Sequence, residues 1–189
     1  PRLFDIASRS EIPVDNHLFS NPWSIRQVRW QPDSRRLTFV YNQRGHQVLR
    51  IVAVDADTGE TAALVDEVSE TFLDYANQQF SQFIDETHEI IWMSERDGWN
   101  HVYRFDTDGT LVNQVTHGRW VVREVLRVDE ERRQLWFTAM GIHVGQDPYH
   151  RHLARIDLDG KNLKVLTKGD GTHTWKFSPS RRFFVDRWS

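Results

Sequence analysis

A chain of 189 residues is long enough to bury a sizeable core, and its length alone allows one or two domains. Its 24 basic and 27 acidic residues are spread along the chain and leave a formal charge of -3, so nothing electrostatic points to nucleic acid or an anionic membrane. Cysteine is absent, which excludes disulfides, zinc–thiolate centres and thiol catalysis but leaves the compartment open.

Leu3-Phe4-Asp5 is a short apolar run closed by an aspartate. It reads as the third strand of a blade that begins before the chain does, and we expect the 189 residues to be an excerpt of a longer protein. The phrase returns as Val52-Ala53-Val54-Asp55 before Asp57-Thr58-Gly59. It comes again as Val102-Tyr103-Arg104-Phe105-Asp106 before Asp108-Gly109, and as Leu153-Ala154-Arg155-Ile156-Asp157 before Asp159-Gly160. The aspartates at 5, 55, 106 and 157 are therefore 50, 51 and 51 residues apart. A second phrase keeps step with the first: an aromatic or Val, a polar turn, then a β-rich run, starting at Trp30, Phe83, Val128 and Phe177. A constant period of this size marks one supersecondary unit that buries its apolar face by stacking on its neighbours.

The unit at 80–118 shows what is repeated. Phe80 to Ile84 is a short strand, Asp85 to His88 a polar turn, and Glu89 to Ser94 a β-branched and aromatic strand. Glu95-Arg96-Asp97-Gly98 is a turn in which Gly98 can take positive φ. Trp99 to Phe105 makes a third strand, Asp106-Thr107-Asp108-Gly109 a hairpin turn, and Leu111 to Thr116 a fourth strand. Four short antiparallel strands with turn signals every 8–12 residues or so are the pattern of a propeller blade. The units at 28–67 and 125–168 follow the same plan, the latter with a longer loop at Gly141 to Tyr149. Residues 1–7 and 174–189 supply strands of incomplete blades. The predicted fold is all-β: a single partial β-propeller over 1–189, about three complete blades between two incomplete ones, with no apolar stripe of helical period.

The Asp-rich turns invite a calcium reading, but a calcium loop of the EF-hand kind needs Gly at its sixth position, where Glu60 and Leu111 stand. Turn chemistry explains these residues, and neither metal nor cofactor is expected. His150-Arg151-His152 puts two imidazoles on one strand face, read as polar rim residues beside the long loop, though His101, His143 or His173 could join them. No Gly-x-Ser-x-Gly elbow occurs; Ser94 and Ser178 fit turn roles. Lys168-Gly169-Asp170-Gly171 lacks the chemistry of a phosphate loop, and Asp129-Glu130-Glu131 reads as a solvated turn.

The run Trp92-Met93-Ser94-Glu95-Arg96-Asp97-Gly98-Trp99-Asn100-His101-Val102-Tyr103 resembles the signature of the dipeptidyl peptidase IV family's N-terminal propeller. Val115-Thr116-His117-Gly118-Arg119-Trp120, Pro148-Tyr149 with Arg151-His152-Leu153, and Phe177-Ser178-Pro179 extend the resemblance from about Arg26 to Ser189. It implies a non-catalytic piece of an eight-bladed propeller that caps and gates a C-terminal α/β-hydrolase domain of the same parent. That parent would be a serine peptidase releasing N-terminal dipeptides after Pro or Ala. The Ser-Asp-His triad and the family's Glu pair would lie outside the chain, so no catalytic residue is carried over and peptide substrate is met only through the parent. Tyr75 and Asn77, in Phe72 to Asn77, are the candidates for facing the substrate cavity. Asp97, Gly98, Trp99 and His101 form a structural signature, with Trp99 expected to pack between blades and Trp99→Ala expected to cost ~3 kcal/mol or more.

Two other function classes compete with this one. A stand-alone propeller that scaffolds protein partners lacks the Gly-His and Trp-Asp marks of such repeats. A glycosidase-like propeller would need convergent carboxylates, which are missing. No apolar run reaches the ~20 residues of a membrane helix. Open strand edges at both ends predict self-association, to be checked by sedimentation velocity.

Overall fold

The computed structural model describes residues 1–77 and 79–189. Among them there is no α-helix, only single 3-10 turns at His17–Phe19 and Asp85–Thr87. Sixteen strands form three four-stranded antiparallel sheets and two two-stranded ones. Each four-stranded sheet is a meander in chain order, as short hairpin connections dictate. The first holds β3 (Pro22–Trp30), β4 (Arg36–Gln43), β5 (Val48–Asp55) and β6 (Thr61–Val68). The second holds β7 (Ser81–Ile84), β8 (Glu89–Ser94), β9 (His101–Asp106) and β10 (Leu111–Gln114). The third holds β11 (Val121–Asp129), β12 (Gln134–Met140), β13 (Arg151–Asp157) and β14 (Lys164–Val165). The two-stranded sheets pair β1 (Leu3–Asp5) with β2 (Ser10–Ile12), and β15 (His173–Phe177) with β16 (Phe184–Trp188). The fold class is that of a partial β-propeller, as the repeat predicted.

The chain divides into two compact units: residues 1–76 with the turns 85–89 and 105–110, and residues 77–84, 90–104 and 111–189. In the first unit, β4 and β5 run in unbroken register from Arg36↔Asp55 to Asn42↔Leu49. Their sequences are nearly continuous in apolar residues because both faces are covered: Phe39, Val40, Tyr41, Ile51, Val52 and Val54 are all buried. Phe19 sets its edge on Phe39 at 5.2 Å, the T-shaped geometry that ring quadrupoles favour. In the second unit the core runs through Ile91, Val102, Val122, Leu135, Phe137 and Ile156.

The first strands of the first and third sheets are less regular than their partners. Both β3 and β11 carry two register shifts, in β3 between Pro22 and Ser24 and between Arg26 and Arg29, in β11 between Val122 and Glu124 and between Val125 and Arg127. The turns that follow first strands share another device. Ser34, His88, Arg133 and Arg181 all hold left-handed φ of 55–60°, each just before the second strand resumes.

The aspartates of the 50–51-residue ladder close turns. Asp55 Oδ1 accepts from the amides of Asp57 (3.0 Å) and Thr58 (2.9 Å). Asp106 Oδ1 accepts from those of Asp108 and Thr110 (3.0 and 2.9 Å), and Asp5 Oδ1 from that of Ala7 (2.8 Å). Donated hydrogen bonds favour the ionised form, so Asp55 and Asp5 titrate below the usual carboxylate range: Asp55 first through the Thr58 amide, Asp5 first through the Ser8 hydroxyl. Gly59 shows why glycine follows Asp-Thr. Its φ is +74°, and a Cβ there would sit 2.0 Å from the carbonyl oxygen of Pro13, while Asp15, two residues further on, donates its amide to Gly59 O at 3.1 Å. Gly59→Ala is expected to cost about 1–2 kcal/mol in a urea titration, since neither the left-handed backbone nor the close approach tolerates a methyl group.

Candidate functional site

The substrate-facing candidate Tyr75 lies in a segment that folds back over the β4–β5 turn. Leu73 donates its amide to His46 O (2.8 Å), and Gln47 Nε2 donates to Glu70 O (2.9 Å). These bonds set Tyr75 flat on His46, ring centroids 4.1 Å apart and planes 20° apart. Phe72 meets both rings edge-on at 5.7 and 6.2 Å, and Trp23 closes the other side of His46 at 5.3 Å. The Arg44 guanidinium lies 5.4 Å from the Trp23 ring. His46 is held in place by Asn42 (3.1 Å to Nδ1) and by its own left-handed φ. Phe72 and Trp23 are about half exposed, so the group is an aromatic shelf open to solvent. Of these rings only Tyr75 was a candidate from the sequence, together with Asn77; Phe72 was merely the start of the segment 72–77, and Trp23 and His46 were missed, their one signal being the Arg44-Gly45-His46 turn. Asn77 belongs to the second unit, where its exposed residue offers a backbone carbonyl to Arg123 Nη1 at 2.9 Å.

The signature at 97–101 builds the centre of the second unit. Gly98 has φ +90° and donates its amide to Glu95 O (2.8 Å), which closes the turn. Asp97 accepts from the Trp99 amide (3.0 Å) and from Gln114 Nε2 (2.6 Å). Burial pushes its pKa up, but the bonds from Gln114 and the Trp99 amide outweigh this and hold the carboxyl below its ordinary range. Trp99 itself is 40 % exposed, which corrects the expectation that it packs between blades. Among the described residues the buried indoles are those of Trp92 and Trp120 instead.

His101 is fully buried, with Nε2 3.0 Å from Gly118 O and Nδ1 3.0 Å from Thr116 Oγ1. A carbonyl can only accept, so Nε2 carries the proton and Nδ1 accepts from the hydroxyl, whose oxygen in turn accepts from the Val102 amide (2.9 Å). Burial lowers the pKa of His101, and this neutral pattern needs no charge. The third sheet repeats the device with one change. His152 Nδ1 meets Thr167 Oγ1 at 3.3 Å and the Leu153 amide donates to the same oxygen at 3.0 Å. The carbonyl of Gly169, which stands where Gly118 stands, is taken by His173 Nε2 (3.0 Å), and His152 Nε2 is left buried without a partner.

His152 therefore sits in a cluster: His143 edge-on at 4.4 Å, His173 at 4.9 Å, and Trp188 stacked on His173 at 5.6 Å. Burial first, then the neighbouring imidazoles, lowers its pKa to about 4. This corrects the rim reading of His150-Arg151-His152. β13 begins at Arg151, so His150 lies in the loop, 3.3 Å from Asp170, while His152 is 1 % exposed. Asp129 is likewise buried rather than solvated, its carboxylate held by Arg127 (3.1 Å) and Arg132 (3.4 Å). Among the described residues no three His, Asp or Glu side chains are placed to hold a metal ion.

Comparison with known proteins agrees with this architecture. The family described as "Dipeptidyl peptidase IV (DPP IV) N-terminal region" matches residues 2–189. The chain belongs to that family. Dipeptidyl peptidase 4 of Trichophyton rubrum is 22 % identical over 189 residues, covering 97 % of this chain and 24 % of that protein. The dipeptidyl peptidase 4 of Trichophyton equinum is 26 % identical over the same length, again across 24 % of its own. The crystal structure of Porphyromonas gingivalis dipeptidyl peptidase 4 superposes with a TM-score of 0.74 at 19 % identity, over 100 % of this chain and 26 % of that one. The chain thus spans about a quarter of the length of these members of the dipeptidyl peptidase IV family.

Proposed function

We propose that this chain is part of the propeller that caps and gates the active site of a serine dipeptidyl peptidase, and that it contributes no catalytic residue of its own. The parent would release N-terminal dipeptides, X-Pro or X-Ala, through a hydrolase domain that these residues do not include. The family match along residues 2–189 carries the reading, and the four-stranded sheets support it. In this role the shelf of Trp23, His46, Phe72 and Tyr75 is the surface offered to the peptide. Flat aromatic faces suit a proline ring or an apolar side chain, and they bind ground state and transition state alike.

A Gly-Pro chromogenic peptide tests both levels. The natural full-length protein should release the dipeptide while the 189 residues alone give no turnover above buffer. In the full-length protein, Tyr75→Ala should raise KM by about fivefold and leave kcat within about twofold, the mark of lost uniform binding. Turnover by the 189 residues alone, or a full-length protein inert toward N-terminal dipeptides, would count against the reading. A scaffold for protein partners would then be the reading to pursue.

A further inference from the structure

The connection between consecutive sheets follows a rule that the third sheet breaks. Arg29, just before Trp30 in β3, reaches Asp85 in the β7–β8 turn with bonds of 2.7 and 2.8 Å. Gln82, at the same place before Phe83 in β7, donates to Glu130 in the β11–β12 turn at 2.8 Å. Each time, a polar side chain on the first strand meets an acid two residues past the aromatic or Val near the end of the next first strand, Asp85 after Phe83 and Glu130 after Val128. Arg127 stands at that place in β11, before Val128, but the next turn is Ser178-Pro179-Ser180-Arg181-Arg182, and Pro179 occupies the acid's position. Arg127 turns to Asp129 of its own strand instead.

The result is a groove of about 480 Å³ with a strong charge imbalance. Arg127, Arg132, Arg155, Arg181 and Arg182 line it against a single carboxylate, Asp129, already shared by Arg127 and Arg132. This stands out in a chain whose formal charge is -3. Five like charges against one counter-charge repel, and the repulsion is relieved by an anion. The remaining wall is aromatic. Half-buried Trp136 and Phe177 meet edge to face at 5.8 Å, with the Arg155 guanidinium 5.8 Å from the Trp136 ring and that of Arg181 5.7 Å from Phe177. Arg155 is oriented by Gln134 Oε1 (2.9 Å), and Gln134 by Asp157 (3.0 Å). Planar guanidinium groups suit phosphate oxygens bidentately, and an indole face suits a flat ring. The volume falls in the range of small-ligand sites.

We propose that this groove binds a small anion that joins a phosphate monoester to a flat ring, of the nucleotide type. The arginines hold the phosphate, Trp136 and Phe177 the ring. The site is independent of peptide hydrolysis and does not need the reading above to hold.

Calorimetric titration of the natural full-length protein with AMP, adenosine and inorganic phosphate at about 50 mM salt tests it, low salt being needed because surface electrostatics are screened. AMP should bind with Kd below about 1 mM, at least about tenfold tighter than adenosine or phosphate. The double variant R181Q/R182Q changes only exposed turn side chains, and it should weaken AMP at least about tenfold with an unchanged melting curve. No AMP binding at about 5 mM, or AMP binding equal in wild type and variant, overturns the site. Phosphate matching AMP overturns the ring's part in it. A poly-Glu peptide binding more tightly than AMP would make the groove an acidic-peptide site and overturn the assignment to a small ligand.

Discussion

Trp120→Ala should destabilise the protein by about 3–5 kcal/mol, whereas Trp99→Ala should stay within about 1 kcal/mol. Trp120 is 8 % exposed and sits in the second unit's core, stacked on Phe137 at 5.8 Å with planes 9° apart and edge-on to His101 at 4.9 Å. Removing the indole leaves a cavity among Phe137, Val122 and the His101 imidazole that the surrounding strands, locked in their ladders, cannot collapse to fill. It also uncovers Gly118, where a Cβ would lie 2.4 Å from the indole nitrogen at φ +131°. The carbonyl of Gly118 is the one that orders His101, so the loss spreads to the imidazole's bonds. Trp99, on its exposed turn, forfeits only partial burial. Urea midpoints of the two variants at pH 7.5 measure the difference. Equal midpoints would mean that the two indoles carry similar weight, contrary to their burial.

Acid should loosen the third sheet as pH falls from about 6.5 toward 4, through His152. Unfolded His152 takes a proton near pH 6.5; folded, it resists protonation down to about pH 4. Its folded pKa is depressed, so the stability it contributes is complete above about pH 6.5 and is lost as pH falls toward 4. The loss should reach about 2–3 kcal/mol by pH 4, after discounting for the solvent that reaches the partly exposed neighbours of the cluster. Protonation would place a charge against His143, His150 and His173; Asp186 lies with His173 (2.9 Å) and Asp170 with His150, and neither is bonded to His152. Replacing His152 by Asn keeps a polar group near Thr167 but removes the titrating ring. It should roughly halve the loss of stability between pH 7.5 and 4.5. Unfolding free energies measured across that range decide it: an acid slope identical in His152→Asn would assign the loss to other groups.

The aspartate ladder and the second phrase were legible because they rest on local chemistry. An aspartate that accepts the amides of the next residues, followed by Gly where a Cβ would strike Pro13 or Leu64, imposes its pattern on the sequence directly. What stayed hidden depends on register and on neighbours distant in the chain. His152 and His150 look equivalent by alternation, yet one is in β13 and the other in the preceding loop, because the strand starts one residue later than alternation suggests. Trp99 and Trp120 are both indoles beside a turn glycine, and only the packing of Phe137 and His101 tells them apart. The His–Thr–Gly device was present in the sequence twice, as His101 with Thr116-His117-Gly118 and as His152 with Thr167-Lys168-Gly169. Its meaning emerges only when the third and fourth strands pair. The shelf around Tyr75 was half visible, since a loop residue's partners follow from how the loop folds back.

The left-handed residues that precede each second strand have a further consequence for anyone redesigning the protein. Ser34, His88 and Arg133 each accept a local crowding of about 1 kcal/mol that Asn or Gly would relieve. Arg181 is the exception, because it lines the groove. One substitution rule thus acts at three addresses in a single chain. An array built by repetition multiplies a small improvement as readily as it multiplies a defect.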